Sequence, residues 1–169
     1  MDTPKIYVAC LASYNNSILH GEWIDADQSA DDIKDEIYKM LKASPIDNAE
    51  EFAIHDYECF GPVILHEYES IDHVAQLANF ITENGEIAAA LLAYCDSLEE
   101  AETMLHENYR GEYDSEIDFA EQLIDDCYGD SLPDISRQYF DYESYARDLF
   151  ISDFFAIHYN SKVYVFSNY

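Results

Sequence analysis

Apolar residues recur at strand or helix spacing along most of the chain, and near the N-terminus they predict a small mixed unit. Residues 5–13 and 18–24 are typical of two strands joined by a hairpin-type turn at 14–17. Ser29 then begins a helix, with an apolar face formed by Ile33, Ile37, Met40 and Leu41. Residues 52–58 favour a third strand. We therefore expect a ββαβ unit with an antiparallel sheet.

The middle of the chain is predicted to be helical. Ser70 caps a segment whose inward positions are Ile71, Val74, Leu77, Ala78 and Ile81. Asn84-Gly85 interrupts it, and residues 86–94 are apolar nearly all round, which indicates a buried helix.

The C-terminal third combines a helix with a hairpin. Residues 137–150 favour a helix capped by Asp141, with Tyr145, Ala146 and Leu149 facing inward. Residues 154–159 and 163–166 read as strands turning at Asn160-Ser161. We expect an α+β fold in three domains: a ββαβ domain over 1–61, a helical domain over 62–108 and an α+β domain over 109–169.

Net charge changes this picture most. The formal net charge is −28, and between residues 43 and 136 twenty-four acids face one base, Arg110. A hydrophobic content of 49% still favours packed cores over disorder. Such a field repels nucleic acid and anionic membranes and attracts proteins with basic grooves. Its total equals the charge on about 48 Å of duplex DNA.

The acidic residues are densest after Asp96, where the sequence predicts two amphipathic helices flanking a glycine turn. Ser97 with Glu100, and Ser115 with Asp118, have the spacing of capping boxes. The apolar positions are Leu98, Ala101 and Leu105 in the first helix, and Ile117, Ala120, Leu123, Ile124 and Cys127 in the second. Repelling pairs on the opposite face cost about 0.2–0.5 kcal/mol each, so this concentration indicates a function.

No pattern in the sequence indicates a metal, a cofactor or an enzyme. Residues 25–36 place oxygen ligands as in a calcium-binding loop, but Ala30 stands where the sharp turn needs glycine, and a capped helix start explains the same residues. His55-Asp56 and His66-Glu67 are adjacent pairs whose side chains diverge on a strand. The four widely spaced cysteines and the lack of a secretory signal or a bilayer-length apolar run favour reduced thiols in the cytoplasm.

Several segments together resemble the ArdA family, the DNA-mimic antirestriction proteins of plasmids and conjugative transposons. The resemblance is carried by IYVACLASYNNSILHGEWID, AIHDYE, LLAYCDSLEEAETMLHENYRGEYDSEIDFAEQLIDDCYG and FDYESYARDLFIS, in family order. It implies an elongated, three-domain α+β homodimer that imitates bent B-form DNA. It also implies binding in the DNA groove of type I restriction-modification enzymes, blocking restriction and often modification, without catalytic residues or cofactors.

The resemblance indicates two sets of site residues. The acidic surface is expected to contain Glu99, Glu100, Glu102, Glu107, Glu112, Asp114, Asp118, Glu121, Asp125 and Asp126. The antirestriction motif, a candidate dimer contact, contains Tyr109, Gly111, Tyr113 and Phe119. An acidic surface does not self-associate easily, so we expect the dimer to form through the apolar C-terminal third, at Phe150, Ile151, Phe154, Phe155, Ile157, Val163, Val165 and Phe166.

Two other functions stay open at the level of sequence. An acidic adaptor could bind some other basic or DNA-binding protein through the same charge. A hydrolase using paired carboxylates is weaker, because thirty-six acids always supply some pair at a suitable distance. Competition with DNA for a type I enzyme separates inhibitor from adaptor, and turnover assays test the hydrolase.

Overall fold

The computed structural model describes residues 2–129, 131 and 133–168 and has the α+β architecture predicted from the sequence. The chain divides into two compact units, residues 1–89 and 90–169. Each unit contains a three-stranded antiparallel sheet with helices. The division into three domains stays a prediction.

The first unit contains the expected three-stranded sheet. Its strands are β1 (Lys5–Cys10), β2 (Gly21–Asp25) and β3 (Phe52–Glu58). The order is β2-β1-β3, and both neighbours of β1 are antiparallel to it. Helix α2 (Ala30–Lys42) packs on β1 and β2. Its four predicted apolar residues are buried, together with Ile6 and Ile24 of the sheet.

The predicted hairpin between the first two strands is wrong in detail. The first strand ends at Cys10, where the Sγ atom accepts a hydrogen bond from the Ser13 backbone N–H and caps a short helix, α1 (Leu11–Asn15). Ser17, with φ of 61°, then reverses the chain. Apolar residues in a five-residue helix and in a strand end are too few for periodicity to distinguish the two.

The loop considered for calcium begins a helix, as its alternative interpretation proposed. Ser29 Oγ accepts from the Asp32 backbone N–H at 3.1 Å, and Gln28 Nε2 donates to the Asp25 carbonyl at 2.8 Å and to Glu36 Oε1 at 3.1 Å. Ser29 and Glu36, two of the proposed oxygen ligands, therefore make contacts that belong to the start of the helix.

Two further helices follow, of which the first lies within the first unit and the second spans the boundary at residues 89 and 90. Helix α3 (Ile71–Asn84) begins after Ser70 and ends at Gly85, whose φ of 64° suits glycine. Lys34 Nζ of α2 lies 2.9 Å from Asp72 Oδ2 of α3. Helix α4 (Glu86–Tyr94) is buried at Ala88–Leu91, but Glu86 and its last two residues are exposed, so it is less buried than predicted.

The second unit begins within α4, at Ala90, and contains the acidic segment. Helix α5 (Leu98–Thr103) continues into a π-helical turn (Met104–Asn108). Strand β4 (Tyr109–Tyr113) and helix α6 (Glu116–Tyr128) come next along the chain. The predicted glycine turn between the two helices is therefore wrong, because residues 109–113 pair with the last strand of the chain.

The C-terminal residues form two helices and a hairpin. Helices α7 (Asp134–Gln138) and α8 (Tyr142–Ser152) replace the single predicted helix, and Asp141 Oδ1 caps α8 by accepting from the Ser144 N–H at 3.0 Å. Strands β5 (Phe154–Tyr159) and β6 (Lys162–Ser167) turn at Asn160 and Ser161, with φ of 46° and 64°. Both angles match the hairpin turn predicted for these residues. The sheet order is β4-β6-β5.

The core of the second unit lies between α6, α8 and this sheet. Its buried members are Phe119, Ala120, Ala146, Leu149, Val163 and Val165. The predicted inward face of α6 is partly wrong, since Ile117 and Cys127 are exposed whereas Phe119 is buried. Contacts with α8 and β6, distant in sequence, decide which side of the helix faces inward.

Two general features complete the description. The four cysteines are free thiols. Within the described ranges, none of the helices combines the length and apolar character needed to cross a bilayer.

Candidate functional site: an acidic surface on the second unit

All ten carboxylates expected in the acidic surface are exposed, and all belong to the second unit. They lie on α5, the π-helical turn, β4 and α6, together with the short segment that joins β4 to α6. We define the acidic surface as these ten residues: Glu99, Glu100, Glu102, Glu107, Glu112, Asp114, Asp118, Glu121, Asp125 and Asp126.

Serine caps fix the starts of both acidic helices. Ser97 Oγ accepts from the Glu100 N–H at 3.2 Å, and Glu100 Oε2 accepts from the Asp96 N–H at 3.0 Å. This departs from the predicted capping box by one residue, because the carboxylate returns to the N–H before the cap. The positive end of each helix favours these acids, so capping and charge reinforce one another.

The second cap is a local pair. Ser115 Oγ accepts from the Asp118 N–H at 3.1 Å and donates to Asp118 Oδ2 at 2.8 Å. The Asp118 carboxylate therefore lies at the start of α6 instead of returning to the cap's own N–H. Along the helix axis, Glu121 lies about 4.5 Å beyond Asp118, and Asp125 lies about 6 Å beyond Glu121.

The four bases of the second unit neutralise only a few of its carboxylates. Lys162 Nζ lies 2.9 Å from Asp114 Oδ1 and 3.2 Å from Glu112 Oε1, and these hydrogen bonds raise the pKa of the lysine. Arg137 bonds to Asp125. Arg147 pairs with Asp148, outside the acidic surface.

Arg110 does not neutralise any carboxylate in the described part of the chain. Its guanidinium donates to the Glu107 carbonyl at 3.2 Å, the Tyr109 carbonyl at 3.0 Å and Ser167 Oγ at 2.8 Å. Among the described residues, the members of the acidic surface without a cation within 4.0 Å are Glu99, Glu100, Glu102, Glu107, Asp118, Glu121 and Asp126.

The motif residues lie behind this surface and support it. The register of β4 against β6 shifts between Tyr109 and Gly111, and Gly111 has φ of 140°. A Cβ atom at Gly111 would lie 2.8 Å from Tyr113 Oη, so glycine allows the Tyr113 ring to lie across the strand. Tyr113 Oη donates to the Arg110 carbonyl at 3.3 Å.

The motif aromatics connect the acidic surface to the core. The ring of buried Phe119 lies 5.2 Å from that of Tyr113 and 4.8 Å from that of Phe154, both edge-on. Burial, followed by the nearby Asp126 carboxylate, raises the pKa of Tyr113. Burial, followed by Glu112, raises the pKa of Tyr109. Each phenol therefore stays neutral beside the acids.

The sequence family is decided by comparison with known proteins. A family model described as antirestriction protein (ArdA) matches residues 6–162. The chain belongs to the ArdA family. Membership implies antirestriction activity and interaction with restriction enzymes. A search of curated proteins found no match.

The structure offers this ArdA protein no metal cluster among the described residues: no group of three His, Cys, Asp or Glu side chains could hold an ion there. Half of the predicted C-terminal dimer patch is also unavailable, because Ile157, Val163, Val165 and Phe166 are buried within the unit. Ile151 stays 74% exposed. It lies with Ile117 and Phe150 in a groove of about 760 Å³ between α6 and α8.

Proposed function

We propose that this protein inhibits type I restriction-modification enzymes by occupying their DNA-binding groove in place of DNA. Restriction is blocked because DNA cannot enter the groove, and modification is blocked for the same reason. Inhibition by occupancy requires no catalytic group, and we propose that the protein is not an enzyme.

The exposure of largely unneutralised carboxylates supports this proposal. Each unit contains eighteen acidic and four basic residues, so each has a net charge of −14. That charge equals the charge on about 24 Å of B-form duplex. A protein that needed acids only for solubility would gain stability by mixing Lys among them, since like charges on one helix face are destabilising.

An endonuclease assay distinguishes this function from a general acidic adaptor. Purified protein is added to a type I enzyme and, separately, to a type II enzyme acting on the same DNA. We expect stoichiometric inhibition of the type I enzyme alone. Equal inhibition of both enzymes, or of neither, would contradict the proposed target.

Salt is expected to change folding and inhibition in opposite directions. Raising the ionic strength from 0.1 to 1 M shortens the Debye length from about 10 to about 3 Å, which screens repulsion among the acids. The same screening weakens attraction to a basic groove. The melting temperature should therefore rise with salt, while the affinity for the type I enzyme falls. A melting temperature that decreases between low and moderate salt would contradict this prediction.

We further propose that the protein is a homodimer joined through the groove between α6 and α8. Exposed Ile117 and Ile151 provide apolar surface, and Glu143 and Arg147 at its edge provide both signs of charge. A twofold axis brings the same patch of two copies together, so each arginine can pair with the other copy's glutamate. Tyr109 and Gly111 lie on β4, the strand that precedes α6 in the chain. Their participation in the dimer contact stays a proposal.

Replacing Ile151 tests this interface. Ile151→Glu places a charge at the centre of the apolar contact, and we expect sedimentation at micromolar concentration to show a folded monomer where the unmodified protein is a dimer. Ile64→Glu is the matched control, because Ile64 is 75% exposed in the first unit and lies outside the groove. A dimeric Ile151→Glu variant, or a monomeric unmodified protein, would overturn the proposal.

A further inference from the structure

The first unit carries an aromatic pair, exposed Trp23 and half-buried Tyr7, on the face of its sheet that α2 does not cover. Side chains alternate along a strand, so burial of Ile6, Val8 and Ile24 on one face places Tyr7 and Trp23 on the other. Trp23, the only tryptophan in the chain, is 41% exposed. The indole is therefore accessible to a binding partner.

The pair has a defined geometry. Tyr7 and Trp23 are opposite one another in the β1–β2 register, with ring centroids 5.5 Å apart and planes inclined at 54°. A Cβ atom at Gly21 would lie 2.7 Å from Tyr7 Oη and 2.5 Å from the Val8 carbonyl. Glycine at this position therefore lets the tyrosine ring lie over β2, beside the indole.

Three carboxylates lie on the same face as the two rings. Asp56 of β3 lies opposite Tyr7, and Asp25 and Glu58 lie opposite Lys5, two residues from Tyr7 on the same face. Lys5 Nζ is 3.4 Å from Asp25 Oδ1. We name Tyr7, Trp23, Asp25, Asp56 and Glu58 the aromatic-acidic face. Its three carboxylates face one lysine, so the local charge remains negative.

We propose that the aromatic-acidic face binds an arginine side chain of the restriction enzyme, an inference that rests on the proposed function. A guanidinium is planar and weakly hydrated, stacks on indole and phenol rings, and bonds to carboxylates. An apolar occupant would remove the carboxylates from water without compensation. Nucleic acid bases also stack, but their phosphates are repelled by these carboxylates.

Tyr38, another exposed aromatic residue of the first unit, differs from Trp23 in having a cation over its ring. Lys42 Nζ lies 4.3 Å from the centroid of the Tyr38 ring, which provides that ring with a cation from its own chain. In the described part of the chain, no Lys or Arg lies over Trp23 in this way. Tyr38, 56% exposed, therefore serves as a matched control whose ring is already covered.

Fluorescence of the single tryptophan tests the chemistry directly. The unmodified protein is titrated with a peptide of alternating Gly and Arg, and in parallel with a Gly-Lys peptide of equal length and charge. We expect saturable change in Trp23 fluorescence, with tighter binding of the arginine peptide. Asp56→Asn should weaken it. Absence of a saturable change, or equal binding of both peptides, would overturn the proposal.

Binding to the type I enzyme tests the source of the arginine. Trp23→Leu should weaken binding about two- to fivefold, the range expected for an exposed cation–π contact, whereas Tyr38→Leu should bind as the unmodified protein does. Thermal melts confirm that each variant is folded. If Trp23→Leu and the unmodified protein bind the enzyme with equal affinity, the enzyme is not the source of the arginine. Failure of the unmodified protein to bind the enzyme would contradict the proposed function, while the peptide titration still decides whether the face binds arginine.

Discussion

Replacing all ten carboxylates of the acidic surface with amides is expected to abolish inhibition of a type I enzyme. Each exposed charge contributes about 0–1 kcal/mol by itself, so a single amide should weaken inhibition only a few-fold. Ten such losses together amount to about 5 kcal/mol, or more than a thousandfold. Dose–response curves for endonuclease inhibition measure both effects.

Folding is not expected to explain this loss. Amides keep the acceptor oxygens that Glu100 and Asp118 use at the helix starts, and removing like charges relieves repulsion. The variant with all ten substitutions should therefore have a melting temperature at least as high as that of the unmodified protein. Complete loss of inhibition from one substitution in a folded variant would replace the distributed surface with a local contact.

A matched pair of triple variants tests the distribution of charge more finely. Glu99, Glu102 and Glu121 lack a cation partner among the described residues, whereas Glu112, Asp114 and Asp125 pair with Lys162 or Arg137. Neutralising the unpaired three should weaken inhibition more, because the paired three are already offset within the chain. A larger loss from the paired three would contradict this ranking.

Phe119→Ala is expected to destabilise the second unit by about 3–5 kcal/mol. The ring is 4% exposed and lies within 6 Å of the rings of Tyr113, Phe150 and Phe154, centroid to centroid, so truncation leaves a cavity among them. Urea denaturation measures the free energy of unfolding. Inhibition by the fraction that stays folded should be unchanged, since the side chain has almost no surface for a partner to touch.

Tyr128→Ala is the control for this substitution. Tyr128 is on the same helix but 55% exposed, and it lies outside the groove between α6 and α8, so its truncation should cost under about 1 kcal/mol of folding free energy. Phe119 would be a contact residue, as the sequence suggested, if Phe119→Ala lost less stability than Tyr128→Ala or if it dissociated a stable dimer without unfolding.

Local signals in the sequence predicted much of the fold. Caps at Ser29 and Ser115, the periodicity of α2, the stop at Gly85 and the β5–β6 turn each depend on a few neighbouring residues, and each is present. Strand β4 was missed because its partner, β6, lies about fifty residues later in the chain. Gly111 suggested a turn in the sequence. In the structure, glycine is required there because the Tyr113 ring lies over the strand at this position.

The site was predictable in composition and less so in arrangement. The ten acids were expected from charge and family resemblance, and all are exposed. Their pairing with Lys162 and Arg137 depends on residues up to fifty positions away. The aromatic-acidic face had no signal in the sequence, because only the register of three strands places Asp56 and Trp23 on either side of Tyr7.

Equilibrium competition with DNA tests the central claim most directly. A labelled duplex containing the recognition site is bound to a type I enzyme, and fluorescence anisotropy is measured as the protein is added. Occupancy of the DNA groove predicts complete displacement of the duplex, with an apparent Kd for DNA that rises in proportion to the free protein concentration. Inhibition of cleavage while the duplex stays bound with unchanged Kd would contradict the account.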